Sequence, residues 1–272
     1  MGEGPEAVKD YVAPDQVVEL MAAAGTKKAG LAIRDLLIRG FMSGMILALA
    51  TAVALSAVAE GSPLWVGALL FPFGFVLLVL LGFELVTGNF ALVPTALFDG
   101  RVTGMQLARN WGWVFVGNLI GSICLAVLLY LTLTEFGQVD GGPLAELLVE
   151  KAEAKTLAYS DVGTAAGVAT AFVKAVLCNW MVATGTVMAL VSTSVPGKIF
   201  GMWLPIFAFF AMGFEHSVVN MFVIPAGILF GDTLTIGDWW QWNEITVTIG
   251  NVVGALVFVA MVMYYTHGPR NR

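Results

Sequence analysis

Charge is what this sequence has least of. Only 12% of its 272 residues are Asp, Glu, Lys or Arg, about half the share of an average soluble domain. With 58% of the chain apolar, there is too little polar surface to clothe a water-soluble globule of this size. Cysteine is equally scarce: Cys124 and Cys178 both lie inside apolar runs, which excludes a disulfide scaffold and a four-cysteine metal site. No low-complexity tract, glycine period or heptad pattern is present, so disorder, collagen and coiled coil drop out. A polybasic run is missing, which argues against nucleic acid. So is an apolar stretch followed by a small-residue cleavage site near Met1, which argues against a signal peptide. What remains is an all-α polytopic membrane protein, and the question is what passes through it.

A membrane-crossing helix needs roughly 20 predominantly apolar residues, and six regions supply them: 40–59, 64–98, 111–134, 164–193, 199–230 and 244–266. The second and fifth are too long for one straight crossing. Lys and Arg are uneven between alternate connections. With the N-terminus inside, Lys9, Lys27, Lys28, Arg34, Arg39, Arg101, Arg109, Lys198, Arg270 and Arg272 fall on one side, and only Lys151 and Lys155 on the other. That bias predicts a multi-pass protein of the cytoplasmic (inner) membrane with both termini cytoplasmic. The expected organisation is one transmembrane domain over 1–272: a cytoplasmic amphipathic N-terminal helix in 1–35, centred on Pro14–Ala24, a first repeat over 36–134, an external polar loop over 135–163, a second repeat over 164–266 and a cytoplasmic tail at 267–272.

The repeat is written in the chain. Gly82-Phe83-Glu84, Asn89 and Pro94 recur with the same spacing as Gly213-Phe214-Glu215, Asn220 and Pro225. Gly117-Asn118-x-x-Gly121 recurs as Gly250-Asn251-x-x-Gly254, and Arg39 and Lys174 each stand where an apolar run begins. Two ordered matches at nearly equal offsets are hard to obtain by chance. Three spans per copy is an odd number, so the second copy starts from the opposite side of the membrane, giving six transmembrane helices as two inverted three-helix repeats. The repeated motif sits in the two over-long spans. Thr87-Gly88-Asn89 is poor mid-helix chemistry but suits a break followed by a capped half-helix. Broken helices at corresponding positions of two repeats point to a transport site at the midplane, and half-helix N-termini aimed there favour an anion.

Ionisable residues inside a span cost about 2.5–3.5 kcal/mol on insertion scales, so each needs a reason. By sequence they are Glu84, Lys174, Glu215 and His216. His216 is the one histidine within a span. It reads as a proton donor facing a pore, against a buried histidine that fixes two helices; its titration near neutrality suits exchange with a permeating weak acid. Glu84 and Glu215 occupy equivalent positions. A proton or cation site competes with a symmetric structural role, in which each carboxylate accepts backbone N–H bonds or pairs with a neighbour. Lys174 either snorkels to the membrane boundary, the favoured reading, or lines a vestibule; Lys151 and Lys155 read as solvated loop charges ahead of collectors of anions. Phe71, Phe75, Phe209 and Phe214 flank the breaks; most Phe in a membrane protein faces lipid or a helix neighbour, and a minority forms apolar constrictions that exclude hydrated ions. Asn179 and Asn251 either bond between helices or line a pore.

These segments carry a family resemblance. Glu84-Leu-Val-Thr-Gly-Asn89 looks like an ELFTGN-type loop, Leu177-Cys-Asn-Trp-Met181 like an LCNWLV segment, and Gly213-Phe-Glu-His-Ser-Val-Val-Asn-Met-Phe222 like a GFEHSxxNMF signature; Gly25-Thr-Lys-Lys-Ala29 and Arg39-Gly-Phe-Met-Ser-Gly44 look like an N-terminal motif. Together they resemble the formate/nitrite transporter family of formate, nitrite and hydrosulfide channels, over roughly residues 14–266. The resemblance implies an aquaporin-like protomer with broken helices two and five, assembled as a homopentamer with one pore per protomer in the lipid bilayer. It implies His216 facing Thr87, one constriction at Leu85 with Phe209, another at Phe71 with Phe75, lumen asparagines at Asn179 and Asn251, and a vestibule lysine at Lys155. Some members carry Leu where Phe75 stands. Lys155 lies 24 residues before Asn179, a long spacing that an insertion around Tyr159–Thr164 accounts for.

The expected function is a channel or transporter for small monovalent weak-acid anions, without cofactor or catalytic metal. Formate leads, nitrite and hydrosulfide follow, and acetate and lactate share the chemistry. Other classes lack their marks. There are no paired Asn-Pro-Ala motifs for an aquaporin, no pair of pore histidines for an ammonium channel, no Gly-x-Ser-Gly for an intramembrane protease and too few ligands for a metal enzyme.

Overall fold

Residues 10–269 are described by a computed structural model in which the regular elements are helical, apart from a single bridge between Tyr11 and Ser192. Lys9, Arg270 and Arg272 of the charge tally, and residues 270–272 of the 267–272 tail, lie outside the described residues.

In chain order the helices are α1 (Pro14–Ala29) and α2 (Ile33–Ala59), α3 (Leu64–Leu70) and α4 (Pro72–Leu80), then α5 (Val86–Phe98) and α6 (Gly104–Leu133). The remainder are α7 (Gly142–Ala154), α8 (Leu157–Asp161), α9 (Thr164–Val191), α10 (Val195–Ala211), α11 (Ser217–Phe230) and α12 (Ile236–His267). Local chemistry sets several of the ends. α1 opens on Pro14 with Asp15 in its first turn and closes on Lys27 and Lys28, which suits the fixed φ of proline at a helix start and the helix dipole at both ends. α6 starts at a capping box in which Thr103 and Gln106 satisfy each other's backbone N–H. α12 is continuous but contains two π-helical stretches, Trp240–Glu244 and Leu256–Met261.

Among the described residues, α2, α6, α9 and α12 are long and apolar enough to cross a membrane. The remaining apolar helices are short and come in two interrupted pairs, α3–α4 with α5 and α10 with α11. The interruptions fall at 81–85 and 212–216, and each has a left-handed glycine at its second position, Gly82 at φ 71° and Gly213 at φ 61°, a conformation that glycine adopts without a Cβ penalty. The half-helices that follow are the centre of the molecule. Every residue of 86–96 and of 217–227 is buried, as expected of helices that are apolar all round. α1, α6 and α9 pack on α5, while α7, α6 and α2 pack on α11.

The recurring Gly-Asn-x-x-Gly explains the tightest crossings. A Cβ on Gly121 would collide with the Phe41 carbonyl of α2, and one on Gly254 with the Val176 carbonyl of α9. The backbones of α2 and α6, and of α9 and α12, touch because the side chain is missing, the small-residue packing of membrane helices.

Three sequence expectations need correction. α2 starts at Ile33 and α12 at Ile236, earlier than the apolar runs suggest, so Arg39 and Glu244 belong inside helices and join the ionisable residues to be explained. The stretch 135–163 is ordered: α7 buries Ala145, Leu148 and Ala152 against α11, as α1 buries its apolar face against α5. The N-terminal helix runs to Ala29 and ends in Lys28, whose importance emerges at the site.

Candidate functional site

The two breaks are held by the same bonds made twice. After Gly82 the chain runs extended to Leu85 (φ −110°, ψ 121°), and after Gly213 to His216 (φ −113°, ψ 118°). Asn118 Oδ1 accepts from Val86 N at 3.0 Å, while its Nδ2 donates to the carbonyls of Gly40 and Glu84 at 2.8 and 2.9 Å. Asn251 does the same in the second half, accepting from Ser217 N at 2.9 Å and donating to the carbonyls of Ala175 and Glu215 at 2.8 and 2.9 Å. A break at this depth exposes backbone groups that lipid cannot satisfy, and one asparagine per break satisfies two of them and ties the break to a carbonyl of the neighbouring helix, Gly40 of α2 or Ala175 of α9. The Asn251 amide is thus fully engaged within the protein.

Glu84 and Glu215 sit at equivalent points and are matched by charge rather than by backbone N–H groups. Lys28 Nζ lies 3.0 Å from Glu84, and Asn89 Nδ2 donates to Glu84 and to Asn110 at 2.9 Å each. Lys155 Nζ lies 2.9 Å from Glu215, and Asn220 Nδ2 donates to Glu215 at 2.7 Å and to Asn243 at 2.8 Å. Asn110 and Asn243 close both rings by donating to the Lys28 and Lys155 carbonyls. The second ring adds Tyr159, whose hydroxyl donates to Glu215 at 2.7 Å. Burial, and then the Glu215 carboxylate, push this phenol above the ordinary tyrosine range, so it stays a donor.

At the centre, His216 and Thr87 meet. Nδ1 of His216 accepts from Val219 N at 3.1 Å and caps α11, so the neutral ring carries its proton on Nε2. Nε2 lies 3.0 Å from Thr87 Oγ1 and donates to it. The Phe209 ring stacks on the imidazole at 5.6 Å between centroids. Asn179 Nδ2 donates to the Thr87 and Asn251 carbonyls at 3.1 and 2.7 Å, leaving Asn179 Oδ1 buried without a partner. A polar core this well shielded needs such bonds, since each buried polar group left unpaired costs about 1–3 kcal/mol.

Two cavities approach this centre. One, of about 200 Å³, is lined by Lys151, Lys155, Lys174, Phe209, Phe214 and Glu215 among others. The second, of about 240 Å³, is lined by Lys27, Lys28, Arg39, Phe75, Glu84, Leu85, Gly88 and Thr186 among others. Phe209 ends the first against His216; Leu85 and Gly88 flank Thr87 at the end of the second. His216 and Thr87 line neither and are sealed between them. Leu85 therefore stands with Phe75, across the centre from Phe209, while Phe71 stacks on Phe210 at 4.2 Å and meets Phe209 edge-on at 5.6 Å. Lys174 lines the first cavity, with its Nζ 5.4 Å from the Tyr159 ring centroid and 3.4 Å from the Tyr159 hydroxyl, so an aromatic face and a hydroxyl hold it there. Sequence reasoning did not single out Lys28, Asn110, Asn243 or Tyr159 for the site; the repeat offset of 133 that relates Asn118 to Asn251 also relates Asn110 to Asn243, whereas Lys28 and Lys155 are 127 residues apart and fall outside it.

Apolar helices packed around a sealed polar centre, with a cation-lined cavity on each side, define a multi-pass membrane transport protein. The sequence profile of the formate/nitrite transporter family matches residues 15–265. An uncharacterized transporter of Bacillus subtilis (strain 168) is 35% identical over 95% of both chains. A probable formate transporter of Methanothermobacter thermautotrophicus is 42% identical over 72% of this chain and 73% of its own, and a formate channel of Bacillus thuringiensis is 32% identical over 92% and 94%. Among solved structures, a pentameric formate channel with formate bound matches with a TM-score of 0.71 at 25% identity, over 86% of this chain and 96% of that one. The chain belongs to the formate/nitrite transporter family, whose members are channels and transporters and not enzymes.

Proposed function

We propose that this protein passes small monovalent weak-acid anions, formate first, with a proton exchanged at His216. The observation that carries the reading is the His216–Thr87 pair, sealed between two cavities that each carry cations and end in apolar side chains. An anion entering either cavity is favoured by that charge but meets Phe209 on one side, or Leu85 and Phe75 on the other. Crossing such a ring as a bare anion costs many kcal/mol of desolvation; crossing as the neutral acid does not. Nε2–H of His216 is aimed at the centre and offers the anion a hydrogen bond. Full protonation of the ring requires Nδ1 to leave the Val219 N–H, a loss on the order of 1 kcal/mol, which pairing with an incoming anion in low dielectric offsets. The anion then crosses as its acid, or under the cover of the imidazolium.

Formate is favoured over nitrite and hydrosulfide by the names of the relatives in Methanothermobacter and Bacillus thuringiensis. The matching bond sets at Asn118 and Asn251 support two inverted repeats with six crossings and an aquaporin-like protomer. The pentameric relative supports a homopentamer, and the bias of Lys and Arg supports cytoplasmic termini in the inner membrane. The test is formate flux into proteoliposomes across a pH series. His216→Asn is expected to remove the proton coupling and most of the flux; unchanged flux with unchanged pH dependence sinks the role of His216. A panel of formate, nitrite, hydrosulfide, acetate and lactate fixes the substrate.

A further inference from the structure

We propose that Thr186 is a specificity-determining residue of the second cavity, whose hydroxyl oxygen accepts the O–H of the substrate in its acid form beside Leu85. The inference rests on the transport reading, in which the substrate crosses the centre as its acid, and it names the group that receives that acid.

An acid needs a different partner from its anion. It carries an O–H, and leaving that O–H unpaired among apolar side chains costs about tenfold or more in affinity. Lys and Arg side chains only donate, and Glu84 and Asn89 are held by Lys28 and Asn110. Among the described residues that line the second cavity, Thr186 carries the only hydroxyl. Its Oγ1 donates to the Val182 carbonyl, one turn back in α9, at 3.1 Å. A carbonyl only accepts, so the hydroxyl proton is committed there and the oxygen lone pairs are left for an incoming donor. They are reachable because the residue that faces them is Gly88. A Cβ at Gly88 would stand 3.0 Å from Thr186 Oγ1, and Thr186 itself is half-buried. Gly88 directly follows Thr87, so this oxygen lies just beyond the His216–Thr87 contact.

The first cavity lacks such a group. By the repeat, the counterpart of Thr186 is Thr51, which follows Arg39 by the same 12 residues that separate Thr186 from Lys174. Thr51 makes the same bond, to the Leu47 carbonyl at 2.9 Å, but is only 1% exposed. The residue that matches Gly88 is Val219, four positions after Glu215 as Gly88 is after Glu84, and it puts a branched side chain in the wall of the first cavity. A reachable hydroxyl oxygen next to the centre therefore stands on one side only among the described residues. It favours acids with a strong O–H donor, such as formic and nitrous acid. Hydrogen sulfide, whose S–H is a weak donor, gains little from it.

The experiment measures initial fluxes of formate and of hydrosulfide into proteoliposomes. Thr186→Val keeps the shape of the side chain and deletes the acceptor. Formate flux is expected to fall about three- to tenfold, the worth of one neutral hydrogen bond, and hydrosulfide flux to stay within about twofold. Thr186→Ser should restore formate flux. Thr51→Val and Thr184→Val remove the same one-turn bond, to the Leu47 and Trp180 carbonyls, away from the second cavity, and should leave both fluxes within about twofold. An unchanged formate flux in Thr186→Val overturns the inference. So does an equal loss for both substrates, or an equal loss in the Thr51 and Thr184 variants, since the effect would then lie in helix packing. If the wild type passes no formate, the transport reading fails, and the acceptor is tested by NMR line broadening of carbon-labelled formate by the solubilised protein, in acid below the pKa of formic acid and at neutrality. Broadening that is greater in acid and is lost in Thr186→Val supports the acceptor; broadening equal in both proteins, or lost only at neutrality, overturns it.

Discussion

His216 Nε2 lies 3.0 Å from Thr87 Oγ1, although 129 residues of chain separate them. The contact joins the ends of the two broken helices, and His216 can make it only because Val219 N–H occupies its other nitrogen. Thr87→Val keeps the shape of the side chain and removes the acceptor, leaving Nε2–H unpaired when no anion is present. The expected outcome is a fall of about tenfold or more in formate flux, on the scale of a buried donor left unsatisfied, while Thr87→Ser retains most of it. Flux through both variants in proteoliposomes checks this; a Val variant as fast as wild type would show that the threonine hydroxyl plays no part.

Tyr159 is where the second half of the protein departs from the first: Glu84 has no tyrosine, whereas Glu215 has one at 2.7 Å. Tyr159→Phe should cost on the order of 1–3 kcal/mol, the range for a hydrogen bond to a charged group. The folded protein holds the phenol proton more tightly than the unfolded chain does. The contribution is therefore intact below the ordinary tyrosine pKa of about 10 and shrinks as pH rises beyond it. Melting curves of wild type and Tyr159→Phe in detergent should differ near neutrality and converge in strong alkali. A difference that stays constant through that range would contradict the assigned donor role.

Glycine packing gives a sharper contrast. Gly121 faces the Phe41 carbonyl, and Gly254 the Val176 carbonyl, so Ala at either position must push two helix backbones apart, with an expected cost of about 1–3 kcal/mol or more for overpacking. Gly112 lies in the same helix as Gly121 with nothing near the site of its Cβ, and Gly112→Ala should stabilise by up to about 1 kcal/mol through helix propensity. Opposite signs for two Gly→Ala changes in one helix, read as melting shifts, are the expected result.

The repeat made much of this legible before any coordinates. Gly-Phe-Glu and Gly-Asn-x-x-Gly mark backbone positions with special demands, a left-handed turn, a close helix crossing and an asparagine spanning a break, and such demands leave few residue choices. His216 was legible because histidine is so rare here. Partners drawn from outside the repeat signature were not. Lys28 and Lys155 lie at the ends of α1 and α7, helices with ordinary polar faces, and nothing local marks them as the counter-ions of Glu84 and Glu215. The hold of Tyr159 on Lys174 was not legible either, because Tyr159 sits in a stretch that reads as loop. Glu244 was hidden for another reason. The apolar run begins there in the sequence, whereas the capping box of Thr235 and Asp238 starts the helix earlier and draws the carboxylate inside.

Glu244 is completely buried and has no cationic partner among the described residues. Trp239 Nε1 donates to it at 3.1 Å and Thr248 Oγ1 at 3.2 Å, within and just after a π-helical stretch, a local irregularity that often accompanies function. Two neutral donors are a poor match for a buried negative charge. Glu244→Gln keeps an acceptor for the indole and removes the charge, so it should leave stability unchanged or raise it. Glu244→Ala strands the Trp239 N–H and opens a void, at an expected cost of about 2–4 kcal/mol. Thermal melting of both variants separates the outcomes, and formate flux supplies the second reading. If Glu244→Gln melts as early as Glu244→Ala, the carboxylate is needed as a charge and a counter-ion must reach it in the folded protein. If Glu244→Gln is stable yet loses flux, the proton that Glu244 can carry matters to transport and not only to packing.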